Sequence, residues 1–352
     1  MENGKVAMNG KSVLVTGDKG YIGTVLCERL SALGATIYGI DTGYYADNLI
    51  APTFEQYQSL KKDIRAITHS DLPAVNAIVH LAGLSNDPLG EFAPSLTEKI
   101  NYESTLELAK LAKNAGIKRF VYASSQSMYG VAGDSGELDE DAPKHPITAY
   151  ASTKWDAELA LLAMADENFE VVCFRPSTVF GFSPRLRTDV VFNNLLCCAY
   201  TTGRIEIKSD GSPWRPVIHV QDVCSAFIAG IQAPASIVNG KAYNVGIKNV
   251  NYRVKDIADA VHHLLPESEL VYTGEHGSDS RTYRVCFNKI NEELSDYFQP
   301  NWTLEMGGKD MLAQFEKYGF SYDQFAGETT NRLNKLKYLI EHKSLDNQLY
   351  WS

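Results

Sequence analysis

Ser12 to Thr16 is a short apolar, β-branched run that leads directly into Gly17-Asp18-Lys19-Gly20-Tyr21-Ile22-Gly23. Apolar residues then recur with helical period from Tyr21 to Leu33. Strand, glycine turn and helix in that order form the opening of a dinucleotide-binding βαβ unit. Glycines at 17, 20 and 23 permit the tight turn and let the backbone approach a pyrophosphate, whose charge meets the amino end of the helix. Gly17, Lys19, Gly20, Tyr21, Ile22 and Gly23 are therefore expected to line a dinucleotide site. Asp41 ends the next apolar run, Thr36 to Ile40. A carboxylate there accepts hydrogen bonds from both ribose hydroxyls and repels a 2′-phosphate, which selects NAD over NADP. No Arg or Lys between Asp41 and Asn48 argues otherwise. Asp63, with Ile64 beside it, falls where a third strand should end, within reach of an adenine amino group; a solvated loop acid fits the position equally well.

The strand–helix rhythm continues with strands at Ala77 to Leu81 and Phe120 to Ala123 and a helix at Ser104 to Ala115. Alternation of this kind, with continuously apolar strands, predicts an α/β fold: a Rossmann-type doubly wound parallel sheet with helices on both faces. From Pro184 the rhythm changes to short strands, Ile205 to Lys208 and Tyr243 to Val245, among helices near Asp222 to Ile231 and Lys255 to Leu265. The expected division is a nucleotide-binding domain over 11–183, to which parts of the later chain return, a smaller α/β substrate lobe over 184–320, and a helical tail over 321–352 packed on the surface.

At 352 residues and 44% hydrophobic content the chain can bury a large core. It contains no apolar run of the roughly 18 residues that a membrane-spanning helix needs, and Met1 to Gly10 lacks the apolar segment of a secretory signal. Cytoplasmic residence and no membrane partner are the expectations. The six cysteines show no metal-ligand spacing, so neither zinc nor a disulfide framework is expected. A formal charge of −10 speaks against a nucleic acid partner.

Tyr150 and Lys154 stand four residues apart in Ala149-Tyr150-Ala151-Ser152-Thr153-Lys154, one helical turn, so both side chains would point into one site. A tyrosine titrates near ~10 and serves as a base at neutral pH only with a fixed positive charge beside it. Lys154 supplies that charge. With Asp41, His80-Leu81-Ala82-Gly83, Asn101, Ser124-Ser125-Gln126-Ser127-Met128-Tyr129-Gly130 and Arg175-Pro176 in this order, the chain resembles the extended short-chain dehydrogenase/reductases. Within them it is similar to the NAD-dependent nucleotide-sugar epimerases and dehydratases, over roughly Lys11 to Phe315.

The resemblance implies that Ser125, Tyr150 and Lys154 are catalytic. Tyr150 would take a proton from a sugar hydroxyl while the carbon beneath it passes hydride to the nicotinamide, Ser125 would bridge the sugar oxygen and Tyr150, and Lys154 would hold the nicotinamide ribose. Ser124, Leu81, Ala82, Gly83 and Pro176 would line the cofactor channel. Asn101 would anchor the helix that it begins, or simply cap it. Trp214-Arg215-Pro216-Val217-Ile218-His219-Val220 is similar to the segment whose arginine binds the substrate diphosphate, and Asn194 and Arg281 resemble further nucleotide contacts. A planar guanidinium suits that role. Arg185 and Arg187 would add charge, and Ser85, Asn86 and Asp87 would contact the sugar or cap a helix.

The chain also departs from the pattern. Relatives that dehydrate C6 of the sugar carry an acid pair after the catalytic hydroxyl residue, where Gln126 and Ser127 stand here; neither titrates near neutral pH. Thr178 replaces a family asparagine. The expected chemistry is oxidation of a ring hydroxyl at C4 of a nucleoside-diphosphate sugar, leading to epimerisation. A net 4-dehydrogenase is the alternative, and a non-catalytic NAD-sensing protein a remote one. Family members pair through helices that here would be Ser104 to Ala115 and Tyr150 to Ala165, so a homodimer is implied.

Overall fold

The computed structural model describes residues 7–130, 136–273 and 282–352. In chain order the strands are β1 (Ser12–Thr16), β2 (Thr36–Asp41), β3 (Gln58–Lys61), β4 (Ala77–His80), β5 (Arg119–Ala123), β6 (Glu137–Leu138), β7 (Glu170–Pro176), β8 (Thr178–Phe180), β9 (Arg204–Ile207), β10 (Val217–His219), β11 (Lys241–Val245), β12 (Glu269–Tyr272) and β13 (Arg284–Val285). Among the described residues seven of them form one parallel sheet in the order β11-β7-β5-β4-β1-β2-β3.

The continuous apolar character of these strands follows from burial on both faces. Val13 and Val15 of β1, Val79 of β4 and Val121 of β5 point into one core, with Val25, Leu26 and Leu30 of the helix α1 (Tyr21–Ala32). Leu14, Ile78, Phe120 and Tyr122 point into the other, with Leu108 and Ala112 of Ser104–Asn114 and Leu161 of Ala149–Ala163. Strand order reverses between β1 and β4, and a doubly wound sheet opens its ligand crevice at the carboxyl ends of the strands at that point.

Beyond β7 the short pairs β8·β10, β9·β12 and β6·β13 and the helices Val191–Thr202, Val254–Leu264 and Leu304–Tyr318 build the smaller lobe. Phe192, Leu196, Ile205, Ile257, Met311 and Phe315 join the same core as Val13 and Val25, so this lobe is not insulated from the sheet.

Three expectations need correction. Tyr243 to Val245 does not belong to the smaller lobe: β11 pairs in parallel with β7, Tyr243 beside Phe174, and forms an edge of the main sheet. The helix Val220–Gln232 likewise covers that sheet, Phe227 meeting Phe174 edge-on at 5.9 Å. An apolar run this short carries no signal of which sheet it joins. The tail, finally, is not a surface appendage. Leu336, Leu339, Leu345 and Leu349 are buried in the core that holds Leu14 and Ile40.

Candidate active site

A cleft of about 450 Å³ opens where β1, β4, β5 and β7 end, lined in turn by Gly17, Leu81, Ser124 and Pro176. That is within the usual range for small-molecule sites. Gly17 has φ +75°, and a Cβ there would meet the backbone nitrogen of Ala82 at 2.9 Å. A Cβ on Gly23 would run into the carbonyl oxygen of Gly17, so α1 sits hard against the turn and its amino end faces the cleft. Gly17, Gly20, Tyr21, Ile22 and Gly23 all line it. Lys19 does not: its ammonium turns toward Glu55, 3.7 Å away, and only its backbone N–H serves the site, donating to Asp41 Oδ2 at 3.2 Å.

Asp41 also accepts from the N–H of Gly43 at 2.6 Å. Burial, with the carboxylate of Asp18 nearby, pushes its pKa up to about 6. Asp18 is itself fully buried, bonded through Oδ2 to Ser59 Oγ at 2.7 Å and Tyr57 OH at 3.0 Å. Its carboxyl fills the space where a side chain at Gly39 would stand, which accounts for a glycine in the middle of β2. Asp63 and Ile64 line the same end of the cleft. The Asp63 carboxylate is already held by Arg65, with Nε donating at 3.0 Å and Nη2 at 2.6 Å.

At the other end the helix Ala149–Ala163, capped by Thr148 Oγ1 accepting from the N–H of Ala151 at 3.1 Å, carries Tyr150 and Lys154 into the cleft. Lys154 Nζ donates to the carbonyl of Ala123 at 2.8 Å and lies 4.8 Å above the ring of Tyr122. Burial pushes its pKa down to about 8. Ser125 and Ser127 share a hydrogen bond of 2.8 Å between their hydroxyls, and both line the cleft. Gln126 lines it too, but its amide is spent, Nε2 donating to the carbonyl of Arg175 at 3.0 Å and Oε1 accepting from Ser177 Oγ at 3.3 Å. Below the site His80 bridges Thr16 Oγ1 at 2.6 Å and Thr105 Oγ1 at 2.8 Å, tying β1, β4 and the helix Ser104–Asn114 together.

Gly83, Ser85, Thr178 and Arg215 line the cleft as well. Asn101 sits one layer behind. It begins no helix but lies inside a π-helical segment, Glu98–Glu103, and clasps Leu84 through both N–H (2.8 Å) and C=O (3.0 Å). Its place is to hold the backbone after β4, not to cap. Asn194 is outside the cleft wall and donates to the carbonyl of Thr188 at 2.9 Å. Arg281 lies outside the described residues.

Tyr45, Arg187, Asp189 and Arg332 are among the other residues that line the cleft. Arg187 grips Asp189 through Nε at 2.8 Å and Nη2 at 3.1 Å, and reaches Ser85 Oγ at 3.2 Å. Asn86 Nδ2 donates to the same Asp189 at 2.8 Å. Tyr45 falls in the loop after Asp41, where no motif marks it. Arg332 lies beyond the reach of the resemblance, on a polar helix that offers no sequence cue. All six cysteines are free, and the described residues contain no His, Cys, Asp and Glu cluster suited to a metal.

A doubly wound sheet with a glycine cradle, an acid at the end of β2, and Ser125, Tyr150 and Lys154 in one cleft defines a nucleotide-dependent redox fold. The family model for the NAD dependent epimerase/dehydratase family matches residues 13–246, and the chain belongs to that family, within the extended short-chain dehydrogenase/reductases. Its cofactor is NAD. The glycine turn that a Cβ would fill, the Asp41 acceptor and the buried Lys154 fit that molecule. The chain is 31% identical to a UDP-glucose 4-epimerase of Mycolicibacterium smegmatis over 66% of its own length and 76% of the relative's. A dTDP-D-glucose 4,6-dehydratase of Mus musculus is 26% identical, over 87% and 89%. Among solved structures MoeE5 in complex with UDP-glucose and NAD superposes with a TM-score of 0.74 at 25% identity, over 87% of this chain and 99% of that one.

Proposed function

We propose that the chain oxidises the C4 hydroxyl of a nucleoside-diphosphate sugar and returns the hydride to the opposite face, so that the outcome is epimerisation. The observation that carries this reading is the lining of one cleft by Ser125, Tyr150 and Lys154 together with the glycine turn and Arg215. The cofactor supplies a hydride acceptor and donor when bound. Tyr150 receives the hydroxyl proton as the carbon is oxidised and gives it back on reduction. Lys154 provides a nearby positive charge, and its own pKa of about 8 leaves it largely protonated at neutral pH. Ser125 orients the sugar oxygen, and its partner Ser127 sets the direction of its hydroxyl.

Gln126 and Ser127 favour epimerisation over loss of water. Neither is an acid or base near neutral pH, and the Gln126 amide is held by backbone and by Ser177. Arg215, which lines the cleft as Tyr283 does, is the group for the substrate diphosphate.

The test is incubation of the purified protein with UDP, GDP and dTDP sugars in heavy water, with products analysed by mass. A separable product of unchanged mass and no deuterium supports the C4 epimerase. Loss of two hydrogens would replace it with a net 4-dehydrogenase, and loss of water with a dehydratase. Tyr150→Phe should lower turnover about 10²- to 10⁴-fold while NAD binding persists; turnover at the wild-type rate would remove Tyr150 from its role.

A further inference from the structure

We propose that Arg332, on the helix Arg332–Glu341 of the tail, is a cofactor-binding residue whose guanidinium contacts the diphosphate of bound NAD. Arg332 lines the cleft yet is only 2% exposed. One of its nitrogens, Nη2, donates to the carbonyl of Arg185 at 2.7 Å, and its Cζ lies 4.5 Å from the centre of the Tyr45 ring. Its Nη1 is buried without a hydrogen-bond partner, and so are Nε of Arg185 and the hydroxyl of Tyr45. Buried donors are ordinarily satisfied, and a buried charge is costly unless it is paired. Three such orphans on residues that touch one another, two of which line the cleft, mark a place for an acceptor.

The charges agree. Among the described residues Arg332 and Arg185 have no ion-pair partner, whereas Arg187 has Asp189. Arg332 and Arg185 thus bring two guanidiniums that no carboxylate touches to one wall of the cleft. A dinucleotide brings one negative charge on each of its two linked phosphates.

Position along the cleft separates this diphosphate from that of the substrate. Arg185 holds the carbonyls of Tyr45 and Ala46 in the loop that follows Asp41, and Arg187 reaches Ser85 in the loop after β4. Arg332 donates to the carbonyl of Arg185, two residues before Arg187, and so is placed between those two loops. The middle of a dinucleotide bound between Asp41 and Tyr150 is its diphosphate. Arg215, by contrast, is carried by the loop before β10 and serves the substrate side.

Calorimetric titration of wild type and Arg332→Met with ADP-ribose, adenosine and UDP tests the assignment. ADP-ribose keeps the cofactor diphosphate, adenosine lacks it, and UDP reports on the substrate side. Loss of a charge-assisted contact should weaken ADP-ribose about 20-fold and leave adenosine and UDP unchanged. Unchanged ADP-ribose affinity would overturn the proposal. So would equal weakening of ADP-ribose and adenosine, which would signal lost packing, and so would weakening of UDP alone. Should Arg332→Met not fold, Arg332→Lys keeps charge and volume but loses the fork. It should weaken ADP-ribose about threefold and adenosine not at all, and wild-type affinity for ADP-ribose in that variant would equally overturn the contact.

Discussion

As the proposed acceptor from both ribose hydroxyls Asp41 would act as a carboxylate, and burial with the neighbouring Asp18 pushes its pKa up to about 6. The bound ribose favours the carboxylate, so NAD affinity should be flat above pH 6 and fall by up to about tenfold per unit below it. Fluorescence titration of NAD between pH 5 and 8 measures the profile. Asp18→Asn removes the like charge and should move the break to lower pH; an unmoved break would show that Asp18 is too well screened to matter. Asp41→Asn should abolish the dependence. That Asp41, Tyr150 and Lys154 face one cleft was legible in the sequence, because each follows from a local pattern of strand end or helical spacing. Asp18 was not, since its part depends on a space left by Gly39 on another strand. Arg332 was invisible for the same reason: it meets Tyr45 and Arg185 only once the chain has folded back.

The helix Ala149–Ala163 presents Tyr150, Lys154 and Glu158 at four-residue intervals, and the third member fixes the other two in place. Glu158 is fully buried and accepts from Arg175 of β7 at Nε (3.0 Å) and Nη2 (2.5 Å). Arg175 Nη1 also donates to Tyr129 OH at 2.9 Å and to the carbonyl of Glu140 at 3.0 Å. Removing one partner of a buried pair strands the other charge and costs about 3–5 kcal/mol. Glu158→Ala should show that loss in urea unfolding, and the double variant Glu158→Leu with Arg175→Met should cost less than the single one. A loss below about 1 kcal/mol for Glu158→Ala would mean that water reaches Arg175. Strands such as β1 and β4 were readable as short continuously apolar runs, and the helix Tyr21–Ala32 by its apolar period. The π-helical turn Glu98–Glu103 was not, because one extra residue per turn leaves no periodic trace over six positions.

Across the whole molecule, the described residues contain no helix long and apolar enough to cross a membrane. Leu159, on the helix Ala149–Ala163, is 48% exposed, and Phe92, on the helix Asp87–Phe92 that packs against it, is 40% exposed. We propose that these residues, with the helix Ser104–Asn114, form a homodimer contact. Sizing by light scattering should give twice the chain mass, and Leu159→Glu should give one; a wild-type monomer would refute it. The return of β11 to the edge of β7 bears on how the molecule folds. Phe174 is buried against Tyr243 and Phe227, 5.9 Å from each ring centre, and both partners lie beyond residue 183 in the chain. A fragment ended at residue 183 would expose the whole hydrogen-bonding edge of β7 and the apolar face above it, and should aggregate. Neither lobe is an independent unit, so calorimetry should record one melting transition, and a substitution in either lobe should shift the stability of both together.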